Sequence, residues 1–327
     1  MTTTPILDEV FTHFEVMVRE QSSDLILRAG HIPVARVEGK IRFIAETPFT
    51  DEQADALLEH ILGIDDAATF RSVKEWDTAF VLPGVGRFRC NILRQRRRTA
   101  FVFRHVKEVV PSMEELHLPA GPVQRLCALH RGLVLVTGVA GSGKSTTLAA
   151  MISFMNARTQ RHIVTIEDPI EFVFRDEYCA ITQREIGIDT SDYLTALKAV
   201  VRQTPDVILV GEMRDRETVS AALMAAETGH LVLATLHTVN AVQTVERIIS
   251  FFPPHQHHTV RLQLGLTLEG VISQRLITRR TMAGRVPAVE ILLGTPTVKE
   301  LVHEGQTRDL PQALEDGHEY YGSQTFN

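Results

Sequence analysis

The sequence predicts an α/β protein of two domains, and three observations support this prediction. The chain has 327 residues, which is long enough for two domains that each bury a core. Residues 123–327 alternate short apolar strands with helical segments, which is typical of a doubly wound parallel sheet of the RecA-like kind. Residues 1–107 instead mix helix-period segments with β-rich stretches, which favours a smaller α+β domain.

The N-terminal domain is predicted to open with a helix, because LDEVFTHFEVMVRE repeats apolar residues at helical spacing. Strands are predicted in VARVEGKIRFI and GRFRCNIL, and a second helix in DEQADALLEHIL. TAFVFR resumes strand character after QRRR, which predicts a β-hairpin with an arginine-rich turn. Residues 108–122 contain Pro111, Pro119 and Pro122, and we interpret them as a linker between the domains.

The C-terminal domain is predicted from apolar runs that alternate with helical segments. The predicted strands are GLVLVTG, HIVTIED, DVILVGE and LVLATLHT. The predicted helices are the segment after GSGKSTT, then LTALKAVVR and TVSAALMAAETG. In such a sheet ligands bind at the carboxyl ends of the strands, so the residues that follow each strand are the candidates for a functional site.

The composition is that of a globular protein without a membrane span. The chain is 44% hydrophobic and 23% charged, its formal net charge is −6, and no apolar run approaches the roughly 20 residues that span a bilayer. The segment MTTTPILDEV lacks basic residues followed by an apolar run, so we expect no signal peptide and a cytoplasmic location. Three widely separated cysteines indicate neither a disulfide framework nor a zinc site: Cys90, Cys127 and Cys179.

Residues 78–107 form a basic segment without any acidic residue. Its basic side chains are Arg87, Arg89, Arg94, Arg96, Arg97, Arg98, Arg104 and Lys107. Three interpretations are open: a solvated hairpin face, a nucleic-acid surface, or arginines that contact phosphates or acids on a neighbouring subunit. Nucleic acid is the partner that we least expect, because the net charge is negative and no exposed aromatic residues alternate with the arginines for base stacking.

A glycine-rich segment, GVAGSGKSTT at residues 138–147, has the spacing G-x-x-x-x-G-K-[ST] between a predicted strand and a predicted helix. Such a loop points backbone N–H groups at a β-phosphate, and the N-terminus of the helix favours negative charge. Lys144 would reach the β- and γ-phosphates, and Ser145 would bind Mg²⁺ through its hydroxyl. The alternative is a chance glycine-rich turn. We predict a nucleotide site that includes Gly138, Gly141, Ser142, Gly143, Lys144, Ser145 and Thr146.

Acidic residues follow two further strands. Glu167 and Asp168 end the strand in HIVTIED, and Glu212 comes directly after VILVG. A nucleoside triphosphatase needs one acidic group near Mg²⁺ and another that orients or deprotonates the attacking water, and these residues supply both. A single acid at a strand end is more often a helix N-cap, which is the alternative for Asp168 before Pro169.

Histidines occupy both ends of the strand predicted in GHLVLATLHT. His230 and His237 are seven positions apart, which in an extended chain is too far for them to share a metal ion. His237, at the carboxyl end, is placed to sense the γ-phosphate or to relay to the next subunit; a buried, hydrogen-bonded histidine is the alternative for either residue. PPHQHH, residues 253–258, is interpreted as the solvated start of a helix rather than a metal site.

Taken in order, these motifs resemble the secretion ATPase superfamily. GSGKSTT, TIEDPIEF, DVILVGEMRD and GHLVLATLHT are similar to its Walker A motif, Asp box, Walker B motif and His box. Among its members the resemblance is strongest to the type IV pilus retraction ATPases, the PilT family, and it includes QREIG and SQRL. SSDLILRAG, RVEGKIR and GRFRCN are similar to that family's N-terminal domain. The resemblance therefore implies a PAS-like domain followed by a RecA-like P-loop NTPase domain.

The resemblance implies a homo-hexameric ring that hydrolyses ATP, with Mg²⁺, to drive pilin subunits out of a pilus. It implies that Glu167 activates water, that Glu212 lies near Mg²⁺, and that His230 and His237 form the His box. It also implies that three residues, here called the hairpin arginines, approach the nucleotide from beside it: Arg87, Arg89 and Arg104. The implied partners are an inner-membrane pilus platform protein and a paralogous pilus ATPase, with the ring at the cytoplasmic face of the membrane.

Departures from the family pattern keep other functions open. Val139 and Ala140 replace the usual Pro-Thr of the loop, Thr204 stands where an acid is common, and PTVKELVHEGQ only faintly resembles the helix associated with retraction. One alternative is an accessory nucleotide-binding subunit that modulates a paralogous motor. Another is a pilus assembly or type II secretion ATPase, although the sequence lacks the paired C-x-x-C motifs of the zinc-bearing assembly ATPases. A DNA-translocating motor shares only the fold and the arginine hairpin.

Overall fold

The computed structural model describes residues 5–37, 39–106, 109–280 and 285–326, and the chain divides into two compact units. The first unit is Met1–Glu108 and the second is Val109–Asn327. Lys107, where the predicted first domain ends, lies outside the described residues. Met113 and Leu118, from the predicted linker, are buried in a core of the second unit.

The first unit combines helices with an antiparallel sheet, as an α+β domain should. Its helices are α1 (Pro5–Arg19), α2 (Asp51–Leu62) and α3 (Ile64–Val73). Its strands are β1 (Asp24–Arg28), β2 (Val34–Val37), β3 (Lys40–Phe43), β4 (Glu75–Leu82), β5 (Gly86–Gln95) and β6 (Arg98–Val106). Within the described residues these strands lie in the order β3-β2-β1-β6-β5-β4.

Apolar spacing explains the predicted first helix. Val10, Phe14 and Met17 lie three and four positions apart on one face of α1, and all three are fully buried. The Phe14 ring packs edge-on against Phe88 and Phe103 of the sheet, with ring centroids 4.9 and 4.6 Å apart. These contacts hold the helix on the sheet, because aromatic pairs in this geometry add to the free energy of burial.

The predicted arginine-rich hairpin is confirmed. β5 and β6 pair antiparallel up to Gln95 and Arg98, which leaves Arg96 and Arg97 as a two-residue turn. Both turn residues have positive φ, 48° and 68°. Hairpins of this kind usually place Asn-Gly there because those residues adopt positive φ at lower cost.

The second unit contains the predicted parallel sheet with helices around it. Its strands are β7 (Gly132–Thr137), β8 (His162–Glu167), β9 (Ala180–Glu185), β10 (Val207–Val210), β11 (Leu231–Leu236), β12 (Leu268–Thr278) and β13 (Arg285–Leu293). Its helices are α4 (Ala120–Ala128), α5 (Lys144–Asn156), α6 (Tyr193–Val200), α7 (Arg216–Glu227), α8 (Ala241–Ser250), α9 (His257–Thr267), α10 (Pro296–Glu304), α11 (Leu310–Asp316) and α12 (His318–Tyr321). The α/β fold class is confirmed.

The sheet of the second unit has the strand order β13-β12-β7-β11-β10-β8-β9 in the described part of the chain. Neighbouring strands are parallel except β12 and β13, which are antiparallel. The central strands β7, β10 and β11 are buried along their whole length. Such strands are covered on both faces, which is why they were recognisable as continuous apolar runs.

A short 3₁₀ turn precedes α9. This turn, Pro254–Gln256, leads directly into α9, so the prediction that PPHQHH starts a helix is confirmed. His257 contacts the Phe252 carbonyl oxygen through Nε2 at 2.8 Å. No helix among the described residues is long and apolar enough to cross a bilayer.

Candidate nucleotide site

A cavity of about 450 Å³ lies at the carboxyl ends of the parallel strands of the second unit. The order β7-β11-β10-β8 explains its contents, because these neighbours all end at the same edge of the sheet. The cavity brings together these predicted residues: Gly141, Gly143, Lys144, Ser145, Thr146, Glu167, Glu212 and His237. Gly138 and Ser142 do not line the cavity, and Ser142 is a buried residue of the loop.

The glycine-rich loop curls around its own lysine. Lys144 Nζ donates to the carbonyl oxygens of Gly138, at 2.8 Å, and Val139, at 3.2 Å. Burial lowers the pKa of Lys144, although Glu212 and Glu171 act in the opposite direction. Gly138 has φ 145°, and a Cβ there would lie 2.3 Å from the carbonyl oxygen of Gln274. The loop therefore needs glycine at this position.

Oxygen atoms of three side chains lie in the cavity near the start of α5: Ser145, Glu171 and Glu212. The Ser145 hydroxyl donates to Glu171 Oε1 at 3.1 Å, and the carboxylate of Glu212 lines the same cavity. Mg²⁺ prefers such oxygen ligands and is usually held by one or two carboxylates together with phosphates, so these residues fit it. Sequence reasoning missed Glu171, even though it lies within TIEDPIEF, a motif already identified.

Glu167 ends β8 in a pocket of hydrogen-bond donors. Its Oε1 accepts from the Thr165 hydroxyl at 2.7 Å and from Gln183 Nε2 at 3.2 Å. Burial raises the pKa of Glu167, and these hydrogen bonds only partly oppose that rise. A carboxylate with a raised pKa is a better proton acceptor, which suits a general base.

The helix N-cap alternative for Asp168 is wrong. The next regular element after β8 is the strand β9, and the described chain has no helix directly after Asp168. Asp168 instead lines the cavity next to Glu167. The edge of a parallel sheet therefore presents two consecutive carboxylates here.

Glu212 sits between two positively charged or protonatable partners. Its Oε2 accepts from Arg214 at 2.8 Å, and its Oε1 lies 3.0 Å from His237 Nε2. Burial alone would raise the pKa of Glu212, but Arg214 and His237 together lower it. His237 Nδ1 in turn lies 3.4 Å from Lys144 Nζ. Glu212 is therefore held ionised and oriented, and Arg214 is a partner that the sequence reasoning missed.

His230 does not join this cluster. It precedes β11, at the opposite edge of the sheet from His237, and it does not line the cavity. Its Nδ1 lies 2.9 Å from the Ala225 carbonyl oxygen. This contact is that of a hydrogen-bonded histidine, so a catalytic role for His230 stays a prediction that needs a neighbouring subunit.

Other cavity residues come from segments without a motif. Tyr193 begins α6, and Thr235 on β11 donates its hydroxyl to the Gly211 carbonyl oxygen at 2.5 Å. Leu276 and Arg285 reach the cavity from the β12–β13 pair. Only the described fold shows that these residues meet, because they are widely separated along the chain.

The hairpin arginines belong to the first unit. Arg104 donates through Nε and a terminal nitrogen to Asp24 Oδ1, at 3.0 and 2.9 Å, and Asp24 is buried. Arg89 lies 3.9 Å from Asp77 Oδ1. Arg104 therefore neutralises a buried carboxylate within its own unit, and a contact of the hairpin arginines with nucleotide stays a prediction.

A family model described as type II/IV secretion system protein matches residues 90–308. The chain belongs to this family of secretion ATPases. It is 45% identical over 300 residues to the type IV pilus retractation ATPase PilT of Pseudomonas aeruginosa, with 91% of this chain and 86% of PilT covered. It is 40% identical over 312 residues to the type IV pilus ATPase PilU of the same organism, with 95% and 81% covered.

The fold agrees with a solved member of the family. The chain superposes on the crystal structure of the pilus retraction motor PilT with bound ADP at a TM-score of 0.88 and 38% identity, covering 96% of this chain and 90% of that chain. The resemblance to the PilT family is thereby confirmed. This secretion ATPase is an enzyme that uses a nucleotide.

Proposed function

We propose that this PilT-family ATPase hydrolyses ATP with Mg²⁺ as a subunit of a hexameric ring that retracts a type IV pilus. The observation that carries the proposal is the cavity that joins the P-loop lysine to Glu167 and Glu212. The likeness to a pilus retraction ATPase over 91% of the chain supports the cellular role. The supporting geometry lies entirely within the second unit.

Each residue of the cavity has a role in this proposal. Lys144 neutralises the β- and γ-phosphates, and the N–H groups around Gly141 and Gly143 bind phosphate oxygens. Ser145 and Glu212 would hold Mg²⁺, and the metal would supply charge neutralisation for phosphoryl transfer. Glu167 accepts the proton of the attacking water.

The two acids differ in a way that assigns the base. Arg214 and His237 lower the pKa of Glu212, so its carboxylate is a weak proton acceptor and a stable anionic partner for a cation. Burial raises the pKa of Glu167, so its carboxylate accepts a proton more readily. The environments therefore favour Glu167 as the base and Glu212 as the metal-side acid.

The proposed ring acts at the cytoplasmic face of the inner membrane on a pilus platform protein. The PilT relative supports this placement through its pilus role, and no nucleic acid is proposed as a partner. His237 links Glu212 to Lys144 and is the proposed sensor of the γ-phosphate, because it contacts both groups.

A second candidate function is an accessory subunit that modulates a paralogous pilus ATPase. The 40% identity to the type IV pilus ATPase PilU over 95% of the chain keeps this candidate open, because the likeness extends to a pilus ATPase other than PilT. ATP turnover by the purified chain, measured with and without the paralogue, separates the two. A principal motor turns over alone, whereas an accessory subunit gains most of its turnover from the paralogue.

The cellular test replaces Glu167 by Gln in the host and scores twitching and surface pili. If the protein is a retraction motor, loss of ATP turnover in this variant should abolish twitching and leave more pili on the surface. Glu227→Gln is the matched control, because Glu227 is an exposed glutamate on α7 outside the cavity. Loss of surface pili in the Glu167 variant would contradict retraction and indicate assembly.

A further inference from the structure

Three side-chain hydrogen bonds tie the P-loop (residues 138–147) and the end of the strand before it to two adjacent residues of β12. The Thr137 hydroxyl, at the end of β7, donates to Ser273 Oγ at 2.9 Å. Gln274 Nε2 donates to the carbonyl oxygen of Ser142 in the loop at 2.6 Å. Gln274 Oε1 accepts from the Thr147 hydroxyl, in the first turn of α5, at 2.9 Å. The start of the loop, its tip and the helix that follows are thus all held from one strand.

These hydrogen bonds lie in the interior, away from bulk solvent. Gln274 is 1% exposed, and Ser142 and Thr147 are each 2% exposed. A buried polar group that loses its partner costs more free energy than an exposed one, because it stays desolvated. The amide of Gln274 therefore strongly favours one position of the loop over others.

The backbone and the side chain of Gln274 also limit which residues fit at two positions of the loop. Its carbonyl oxygen lies where a Cβ on Gly138 would approach to 2.3 Å, and its Nε2 lies 3.0 Å from the position of a Cβ on Gly143. Both contacts involve glycines at which the loop turns with positive φ, 145° for Gly138 and 91° for Gly143. Gln274 thus packs closely against both glycine turns of the P-loop.

We infer that Gln274 is a positioning residue that holds the P-loop in the shape needed to bind the phosphates of a nucleoside di- or triphosphate. Gln274 does not line the cavity, so it acts through Ser142 and Thr147 rather than by touching the nucleotide. Backbone N–H groups bind phosphate well only when they converge on it, so a small shift of the loop weakens binding.

The strand that carries Gln274 also forms part of the cavity wall. Side chains two positions apart on a strand share a face, so Gln274 and Leu276 of β12 point the same way, and Leu276 lines the cavity. β12 therefore both clamps the loop and forms part of the wall around the nucleotide. The inference rests on the proposed use of the P-loop as the nucleotide site.

The test is the affinity of the full chain for ADP after Gln274→Met. Methionine keeps the length of the side chain and its burial but makes neither hydrogen bond. We expect the Kd for ADP to rise about tenfold, since two buried hydrogen bonds are lost. KM for ATP should rise in parallel. Gln312→Met is the matched control, because Gln312 on α11 is exposed and bonds only to Asp316 in the described hydrogen bonds.

Thr147→Val is the second variant, and it carries the test if Gln274→Met does not fold. It removes the hydroxyl that bonds to Gln274 while keeping the shape of the side chain, so a smaller rise in the ADP Kd is expected. Unchanged ADP affinity in the folded variants, even with a lower Tm, would overturn the inference. Lys144→Ala is measured alongside. If Lys144→Ala alone loses ADP binding, the positioning role of Gln274 is refuted while the nucleotide site is supported. If Lys144→Ala binds ADP like the wild type, the nucleotide site itself is refuted.

Discussion

Glu167→Gln tests the proposed chemistry with little change in shape. The Thr165 hydroxyl and Gln183 Nε2 both donate to Oε1 of Glu167, and an amide oxygen accepts the same two hydrogen bonds. The amide nitrogen cannot accept a proton from water. We therefore expect the variant to bind ATP with nearly the wild-type affinity and to hydrolyse it very slowly.

The expected loss follows from the role of the residue. Removal of a general base typically costs about 10²–10⁴-fold in rate. At about 1.4 kcal/mol for each factor of ten, this corresponds to about 3–5 kcal/mol of transition-state stabilisation. The loss should appear in kcat, with little change in the Kd for ADP, because Glu167 does not belong to the phosphate-binding loop.

The same substitution changes stability in a predictable direction. Burial raises the pKa of Glu167 in the folded chain, so folding favours its neutral form. That favourable contribution is present at low pH and is lost as the pH rises through the folded-state pKa. The amide never ionises, so the variant should be more stable than the wild type at pH 7, and this difference should shrink as the pH falls towards the ordinary glutamate range.

The assay combines ATP turnover, nucleotide affinity and thermal unfolding at several pH values. Glu227→Gln is the control, because this exposed glutamate contacts Gln263 and lies outside the cavity. It should change turnover less than twofold, about the scale expected of a surface substitution. If Glu167→Gln still turns over while Glu212→Gln stalls with ATP bound, the roles of the two acids are reversed and the argument from their pKa values is refuted.

Two further predictions concern the glycine-rich loop, and a third concerns the hairpin arginines. Lys144→Ala should abolish productive ATP binding, because the loop loses the cation that meets the β- and γ-phosphates; wild-type hydrolysis would refute the P-loop assignment. Gly138→Ala should weaken ADP binding and lower the Tm, since its Cβ would clash with a carbonyl oxygen at 2.3 Å, and normal values for both would contradict this. Mixing Lys144→Ala with an inactive Arg87→Ala/Arg89→Ala protein should restore part of the ATPase activity if the hairpin arginines act in trans, and exchange of subunits without activity would exclude that. Arg104 is kept in this test because it neutralises the buried Asp24.

The sequence predicted the strands whose physical signal is strongest. β7, β10 and β11 are buried on both faces, so each appears as an apolar run. β9 was missed, because this edge strand reads AITQRE and is only partly buried. β12 and β13 were missed as well, since β12 follows α9 without an intervening turn signal and β13 adds an antiparallel edge to a parallel sheet.

The site residues that could be predicted are charged residues that come shortly after a predicted strand. Glu167 and Glu212 closely follow apolar strands, and Lys144 follows β7 after the glycine-rich loop; parallel strands carry all three residues to one edge of the sheet. Gln274 was not predictable as a contact of the loop, because it lies 132 positions from Ser142 and only the pairing of β12 with β7 joins them. Local patterns contain no information on which strands become neighbours.

The two histidines show how strand geometry limits what a motif can do. Seven positions of extended chain span about 20 Å or more, so one strand cannot deliver both side chains to one cavity. His237 reaches Glu212 and Lys144, whereas His230 bonds to Ala225 at the other edge. If both act in one catalytic event, the second contact must come from another copy of the chain. The proposed ring would supply such a copy to every subunit, because head-to-tail contacts whose rotation closes give each subunit a neighbour on both sides.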